Sequence, residues 1–221
     1  MSPQEPLIIA HRANSGRIVS WYKRLGVKWV EVDAYWDKEN REILVGHPPS
    51  PIQRASIPGR LFSAIDYLFF YRNPFYGKHS LREWAERLGF VEGILLDLKN
   101  TPPLETLAIA LETLLGSHSV IITSSNHDYL LSLRQEYPWV NIAPSISIKS
   151  SILLELLSAR KTTHISILYT LLDRNTVLSL HERGVKIIAW TVNSPRIAAH
   201  LASIGVDYIV TDRPDKVKPK Q

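Results

Sequence analysis

The chain has no cysteine, which excludes disulfides, thiolate nucleophiles and cysteine-based zinc sites. It has no apolar run near the ~18 residues of a membrane-spanning helix, so stable membrane insertion is not expected. Only four consecutive apolar residues (7–10) precede His11 and Arg12, too few for the core of a secretory signal, and a cytoplasmic setting is the expectation. There is also no run of lysine and arginine suited to gripping a duplex, so nucleic acid is not expected as a partner. The charge is nevertheless unbalanced, at +5 with a pI of about 9.4. That surplus suits an anionic small substrate or an anionic surface, or simply a solubilising exterior. A content of 45% hydrophobic and 21% charged residues excludes a disordered chain, and 221 residues suit a single domain.

Short strands of aliphatic and β-branched residues alternate with amphipathic stretches of helical length. One join recurs, in which a helix ends in glycine and Val or Phe leads into a strand: LGVKWVEVD (25–33), LGFVEGILLD (88–97), RGVKIIAW (183–190) and IGVDYIVTD (204–212). Glycine suits such helix ends because the position favours positive φ. Helical spacing of apolar residues runs through 104–115 and 194–204. The repeat is βα, and the sheet it builds is parallel. Strands are expected at 7–10, 29–33, 94–98, 120–123, 140–144, 164–168, 186–191 and 207–211, which makes a (βα)8 TIM barrel the expected fold. A doubly wound sheet is the alternative, because strand order is invisible in sequence. The segment 42–46 lies too close to Asp33 for a crossover helix. It reads as the return arm of a hairpin turning through DKEN, which would set His47 roughly opposite Asp33.

Residues 48–90 interrupt the repeat within the one domain. They hold all five phenylalanines, nine of the twenty aromatics and five prolines, and read as an insertion capping the barrel mouth. Phe62, Tyr67, Phe69, Phe70 and Tyr71 are expected mainly to dock it. Ser80 and Glu83 have the spacing of a capping box that opens the returning helix.

In such a barrel the active site is built from side chains at the C-terminal ends of the strands. Those ends deliver His11 and Arg12, Glu31 and Asp33, His47, then Asp97 with Lys99, and later Ser124, Trp190 with Asn193, and Asp212. Glu31 and Asp33 are two apart and therefore share a face. Two inward carboxylates repel each other and are costly to desolvate unless a cation joins them. With Asp97 they form an all-oxygen set suited to a hard divalent ion, Mg²⁺ or Ca²⁺. A metal-free network with Arg12 and Lys99 is the alternative, although three acids exceed what two cations neutralise. Two histidines, two cationic side chains and a hard metal suggest phosphodiester chemistry. Arg12 and Lys99 would hold non-bridging oxygens, and His11 and His47 would serve as acid and base. His79, His118, His127, His164, His181 and His200 read as surface or packing residues.

AHR (10–12), VEVD (30–33), His47 after ILVG, LDLK (96–99), AWTVN (189–193) and GVDYIVTDRPD (205–215) together resemble the glycerophosphodiester phosphodiesterases. These are metal-dependent (βα)8 enzymes of the phospholipase-C-like phosphodiesterase superfamily. The resemblance implies His11 and His47 as the acid/base pair and Glu31, Asp33 and Asp97 as metal ligands. It implies Arg12 and Lys99 as phosphate contacts and Trp190 as a wall of the pocket. The sequence departs from the family pattern where Ala13, Asn14 and Ser15 replace a Gly and a Glu-Asn-Thr element, where Pro48 follows His47, and where Asp97 replaces Glu. Two of these departures are similar to the sphingomyelinase D-like phospholipases, which form cyclic phosphates from (lyso)phospholipids. Hydrolysis of a small anionic glycerophosphodiester to glycerol-3-phosphate is the leading expectation. The alternatives are that phospholipase D-like reaction and a non-catalytic barrel that binds a phospho-ligand.

Overall fold

The computed structural model describes residues 5–47, 79–148 and 162–217. Nine strands form one sheet: β1 (Leu7–Ala10), β2 (Trp29–Asp37), β3 (Glu42–Val45), β4 (Gly93–Leu98), β5 (Ser119–Ser124), β6 (Asn141–Ile146), β7 (His164–Leu168), β8 (Lys186–Trp190) and β9 (Tyr208–Thr211). β1 pairs in parallel with β2 on one side and β9 on the other, so the sheet closes on itself. Closure excludes the doubly wound alternative and makes a (βα)8 TIM barrel of the eight parallel strands. β3 is the exception, running antiparallel to the end of β2 with Ala34 facing Val45 and Asp37 facing Glu42. The expected hairpin therefore forms, with Arg41 in its turn at φ 52. Its register puts Gly46 rather than His47 against Asp33, with the Gly46 N–H donating to the Asp33 carbonyl at 2.9 Å.

Around the barrel lie α1 (Gly16–Arg24), α2 (Leu81–Arg87), α3 (Leu104–Leu115), α4 (His127–Glu136), α5 (Arg174–His181) and α6 (Pro195–Ile204). Their starts follow local chemistry. Ser15, Asn126 and Asp173 accept from backbone N–H groups of the first turns, and Pro195 opens α6. The Ser80–Glu83 capping box is formed on both sides. Glycines 26, 184 and 205 close their helices at positive φ, as expected. Gly89 does not adopt a positive φ, so left-handed backbone is not what it supplies there.

Strand alternation sorts the core into two layers. Val30, Val32 and Ala34 face the helices and are fully buried, as are Leu107 and Ile122. Inside the barrel Ile9, Trp29, Leu95, Ile121, Ala143, Ile188, Tyr208 and Val210 pack together. The Trp29 and Tyr208 rings lie 5.6 Å apart, with His164 5.7 Å from Tyr208, so aromatic rings fill the N-terminal end. Gly93 is required beside Trp29: a Cβ there would fall 2.2 Å from the indole.

The insertion expected over 48–90 lies outside the described residues as far as residue 78, together with Phe62, Tyr67, Phe69, Phe70 and Tyr71. Its described end docks on the barrel. Leu44 bridges to Ser80, and the buried Trp84 donates its indole N–H to the Ala13 carbonyl at 2.7 Å. Phe90 packs against the same core. Among the described residues no helix is long and apolar enough to cross a membrane.

Candidate active site

At the C-terminal end of the barrel the inward positions turn polar. One residue beyond Ile9 and Ala10 comes His11, and above Trp29 come Glu31 and Asp33. Asp97 follows Leu95, Thr123 follows Ile121, and Ser145, Ser166 and Trp190 complete the ring. A pocket of about 280 Å³ opens there, lined among others by His11, Arg12, Glu31, Asp97, Lys99 and Trp190. The structure thus brings together seven of the eight site residues expected from sequence, with Asp33 buried just behind the lining. The eighth, His47, is exposed at the end of the β3 arm and is not among the residues lining this pocket.

The His11 ring is fixed from behind. Its Nδ1 lies 2.7 Å from Asp212 Oδ1, and Nε2 points inward, 3.7 Å from Glu31 Oε2. Asp212 is held in turn by Asn193, whose amide donates to Oδ2 at 2.8 Å and whose carbonyl oxygen accepts from the Asp212 N–H at 2.9 Å. The hydrogen bond with His11 lowers the Asp212 pKa to about 2, against the opposing effect of burial. An ionised Asp212 selects the tautomer with the proton on Nδ1, leaving Nε2 to the pocket. Tyr22 supports the same turn by donating to the His11 carbonyl at 2.6 Å.

Arg12 takes left-handed backbone conformation, φ 56, uncommon for a side chain of its size. The turn aims its N–H at Glu31 Oε2, 2.7 Å away. Glu31, Asp33 and Asp97 each offer an oxygen, and these oxygens lie within 4.8 Å of one another. Glu31 and Asp33 are almost wholly buried. Lys99 reaches Asp33 at 2.6 Å and Asp97 at 2.5 Å. Asn14 clamps Asp33 by donating to Oδ2 at 2.6 Å and accepting from its N–H at 3.0 Å.

The acids divide electrostatically. Burial, then the charges of Asp33 and Asp97, raises the Glu31 pKa well above the usual carboxylate range. Burial also acts upward on Asp33, but Lys99, His11 and Asn14 outweigh it and the net shift is down. Asp97 is raised, chiefly by burial. Burial alone would lower Lys99, yet the three carboxylates raise it and hold it charged. One ammonium among three carboxylates leaves the cluster short of positive charge. Glu31 Oε1 is buried without a hydrogen-bond partner among the described residues, an expensive state for a carboxylate oxygen. An oxygen-only set with an unpartnered member fits a hard divalent cation.

Two further buried polar atoms lack a protein partner among the described residues, Thr123 Oγ1 and Trp190 Nε1, and both residues line this pocket. The sequence reading did not single out Thr123, Ser145, Ser166 or Asn14, and gave Asp212 no role. For the hydroxyls an available signal was parity, since 121 and 123 must share the inner face. For Asn14 the signal was its place two residues after the His-Arg pair. The Asp212–His11 contact joins residues 201 apart and leaves no local trace. Ser124, also at a strand end, is structural: its hydroxyl donates to the Leu98 carbonyl at 3.0 Å. Among the other histidines, His118 and His164 are buried, His181 pairs with Asp207, and His127 contacts the Ser145 carbonyl.

The profile of the glycerophosphoryl diester phosphodiesterase family matches residues 104–216. Over 94% of its length the chain is 27% identical to YhdW of Bacillus subtilis (strain 168), a protein provisionally named as a glycerophosphodiester phosphodiesterase, of which 95% is covered. Among solved structures it is similar to a phosphodiesterase from Oleispira antarctica in complex with the product sn-glycerol-3-phosphate. That pair is 22% identical, with a TM-score of 0.74 and coverage of 96% of this chain and 95% of the other. A glycerophosphodiester phosphodiesterase from Thermotoga maritima is 19% identical, with a TM-score of 0.67 and 95% of each chain covered. These two structures share the fold. The matched segment carries Trp190, Asn193 and Asp212, whereas His11, the three acids and Lys99 precede it.

Proposed function

Because this chain belongs to the glycerophosphoryl diester phosphodiesterase family, we propose that it hydrolyses glycerophosphodiesters to glycerol-3-phosphate and a free alcohol, as a single barrel domain in which 48–90 is an insertion. The observation that carries this reading is the convergence of His11, Arg12, three carboxylates and Lys99 on one pocket. The unpartnered buried atoms Glu31 Oε1, Thr123 Oγ1 and Trp190 Nε1 support it, since a seated ligand would satisfy them.

In the reaction a water oxygen bonds to phosphorus and the bond from phosphorus to the leaving alcohol oxygen breaks. One proton is taken from the water and one is given to the departing oxygen. His11 handles one of these transfers at Nε2, because Asp212 occupies Nδ1. His47, on the arm that extends from β3, is the partner for the other. Arg12 and Lys99 hold the non-bridging oxygens, and the charge they supply counts most as negative charge builds in the transition state. Trp190 walls the pocket, and its indole N–H and the Thr123 hydroxyl, both without a partner among the described residues, are the donors left to meet a ligand. Glu31, Asp33 and Asp97 are the residues that would hold Mg²⁺ or Ca²⁺. Such an ion, when bound, withdraws charge from the phosphoryl group.

The test is turnover of glycerophosphocholine and of lysophosphatidylcholine with Mg²⁺, Ca²⁺ or EDTA, with products resolved by phosphorus NMR. Metal-dependent release of glycerol-3-phosphate that is lost in His11→Ala is the expected result. Turnover of the lysolipid alone, to a cyclic phosphate, would replace the proposal with the phospholipase D-like reaction. Metal binding without turnover of either would leave a phospho-ligand-binding barrel.

A further inference from the structure

A second and larger cavity, about 640 Å³, opens on the far side of His11 and Arg12, against α1 and the segment after β9. It shares those two residues with the reaction pocket, so the two spaces adjoin at His11 and Arg12. Arg17, Trp21 and Arg24 line it from α1 at positions i, i+4 and i+7, which lie on one face of a helix. α1 packs into the core through Val19 and Tyr22, and Tyr22 also lines the cavity. The acids of the cavity are engaged: Asp212 with His11 and Asn193, and Asp215 through both oxygens with Arg213 at 3.1 Å. Arg17 and Arg24 have no acidic or carbonyl partner among the described residues. Two uncommitted guanidiniums flanking an indole therefore face a groove that begins at the reacting centre.

We propose that this groove receives the leaving alcohol and that the alcohol it is built for carries a further phosphate. This rests on the phosphodiesterase reading, because that reaction supplies the leaving alcohol the groove would receive. Guanidinium forks match phosphate oxygens in pairs and repel a quaternary ammonium. Trp21 gives the carbon skeleton of the alcohol an apolar surface between them.

The test compares kcat/KM for three diesters whose alcohol is cationic (glycerophosphocholine), neutral (glycerophosphoglycerol) or anionic (glycerophosphoglycerol phosphorylated on its distal hydroxyl). The phosphorylated diester is expected to be preferred over the neutral one by about tenfold, with glycerophosphocholine poorest. Arg17→Gln/Arg24→Gln should bring the anionic-to-neutral ratio to within about twofold of one, through KM. Arg82→Gln, which removes an exposed positive charge on α2, should leave that ratio as it is. Equal use of the anionic and neutral diesters by the unaltered protein, or a preference that survives the double substitution, would overturn the groove. Calorimetric binding of the phosphorylated diester to His11→Ala protein reads the groove without turnover, and the double substitution should weaken it about tenfold. If that weakening appears while no diester is hydrolysed, the phosphodiesterase reading fails and the groove stands. If hydrolysis proceeds and the weakening is absent, the groove fails alone.

Discussion

Thr123 illustrates how one atom can be expensive to the fold and useful to the site. Its hydroxyl is buried at the pocket floor without a partner, while the rest of the side chain packs inside the barrel. Thr123→Val is nearly isosteric and removes only the polar atom. Thermal melts should show stability unchanged or raised by up to about 1 kcal/mol. Michaelis kinetics on glycerophosphocholine should show KM raised roughly three- to tenfold, as expected for a lost hydrogen bond to substrate. Asp212 makes the complementary case. Asp212→Asn keeps the shape but no longer selects the His11 tautomer, so kcat should fall by about 10- to 1000-fold with KM little changed. Retention of kcat would show that His11 needs no orienting carboxylate. At this scale the sequence was legible where chemistry is concentrated in short strings such as AHR, VEVD and LDLK. It was silent on Asp212 as the support of His11, because closure of the barrel, not local sequence, brings β9 beside β1.

Elements were legible wherever local physics alone decides them. The Ser80–Glu83 box and the aliphatic runs put the helices and strands within a residue or two of their expected bounds, and β2 runs past the barrel rim to Asp37, as the hairpin requires. The last residues of β2 pair only with the β3 arm. The same pairing shifted the arm by one residue and put Gly46, not His47, against Asp33. Gly93 shows a contact that no periodicity reports. Adding one methyl there drives it into the Trp29 indole, which is wedged in turn against Tyr208. Gly93→Ala is expected to destabilise the protein by about 1–3 kcal/mol, read by urea unfolding. A neutral result would mean that the N-terminal end of the barrel repacks freely.

Across the whole molecule the two ends of the barrel answer to different demands. The C-terminal end collects charge, and the N-terminal end buries aromatic rings around His164, whose pKa falls from 6.5 to about 4 through burial and then the nearby Lys186 charge. The unfolded chain therefore takes up a proton near pH 6.5, while the folded protein resists until about pH 4. Stability from this site is complete above pH 6.5, declines as pH falls through that window, and levels off below pH 4. The loss by pH 4.5 is about 2–3 kcal/mol. Urea unfolding at pH 7 and pH 4.5 should show it in the unaltered protein and show a smaller drop in His164→Phe. Equal drops in the two proteins would assign the acid sensitivity elsewhere.

Lys99 gives the charged end a cation that cannot diffuse away. Its ammonium bridges Asp33 and Asp97. A tethered counter-charge of this kind separates the survival of the fold from the supply of metal. EDTA should stop turnover yet leave one sharp calorimetric unfolding transition. On the proposed metal dependence, protein stripped of divalent ions would stay folded and regain activity when the ions are returned, with no refolding step.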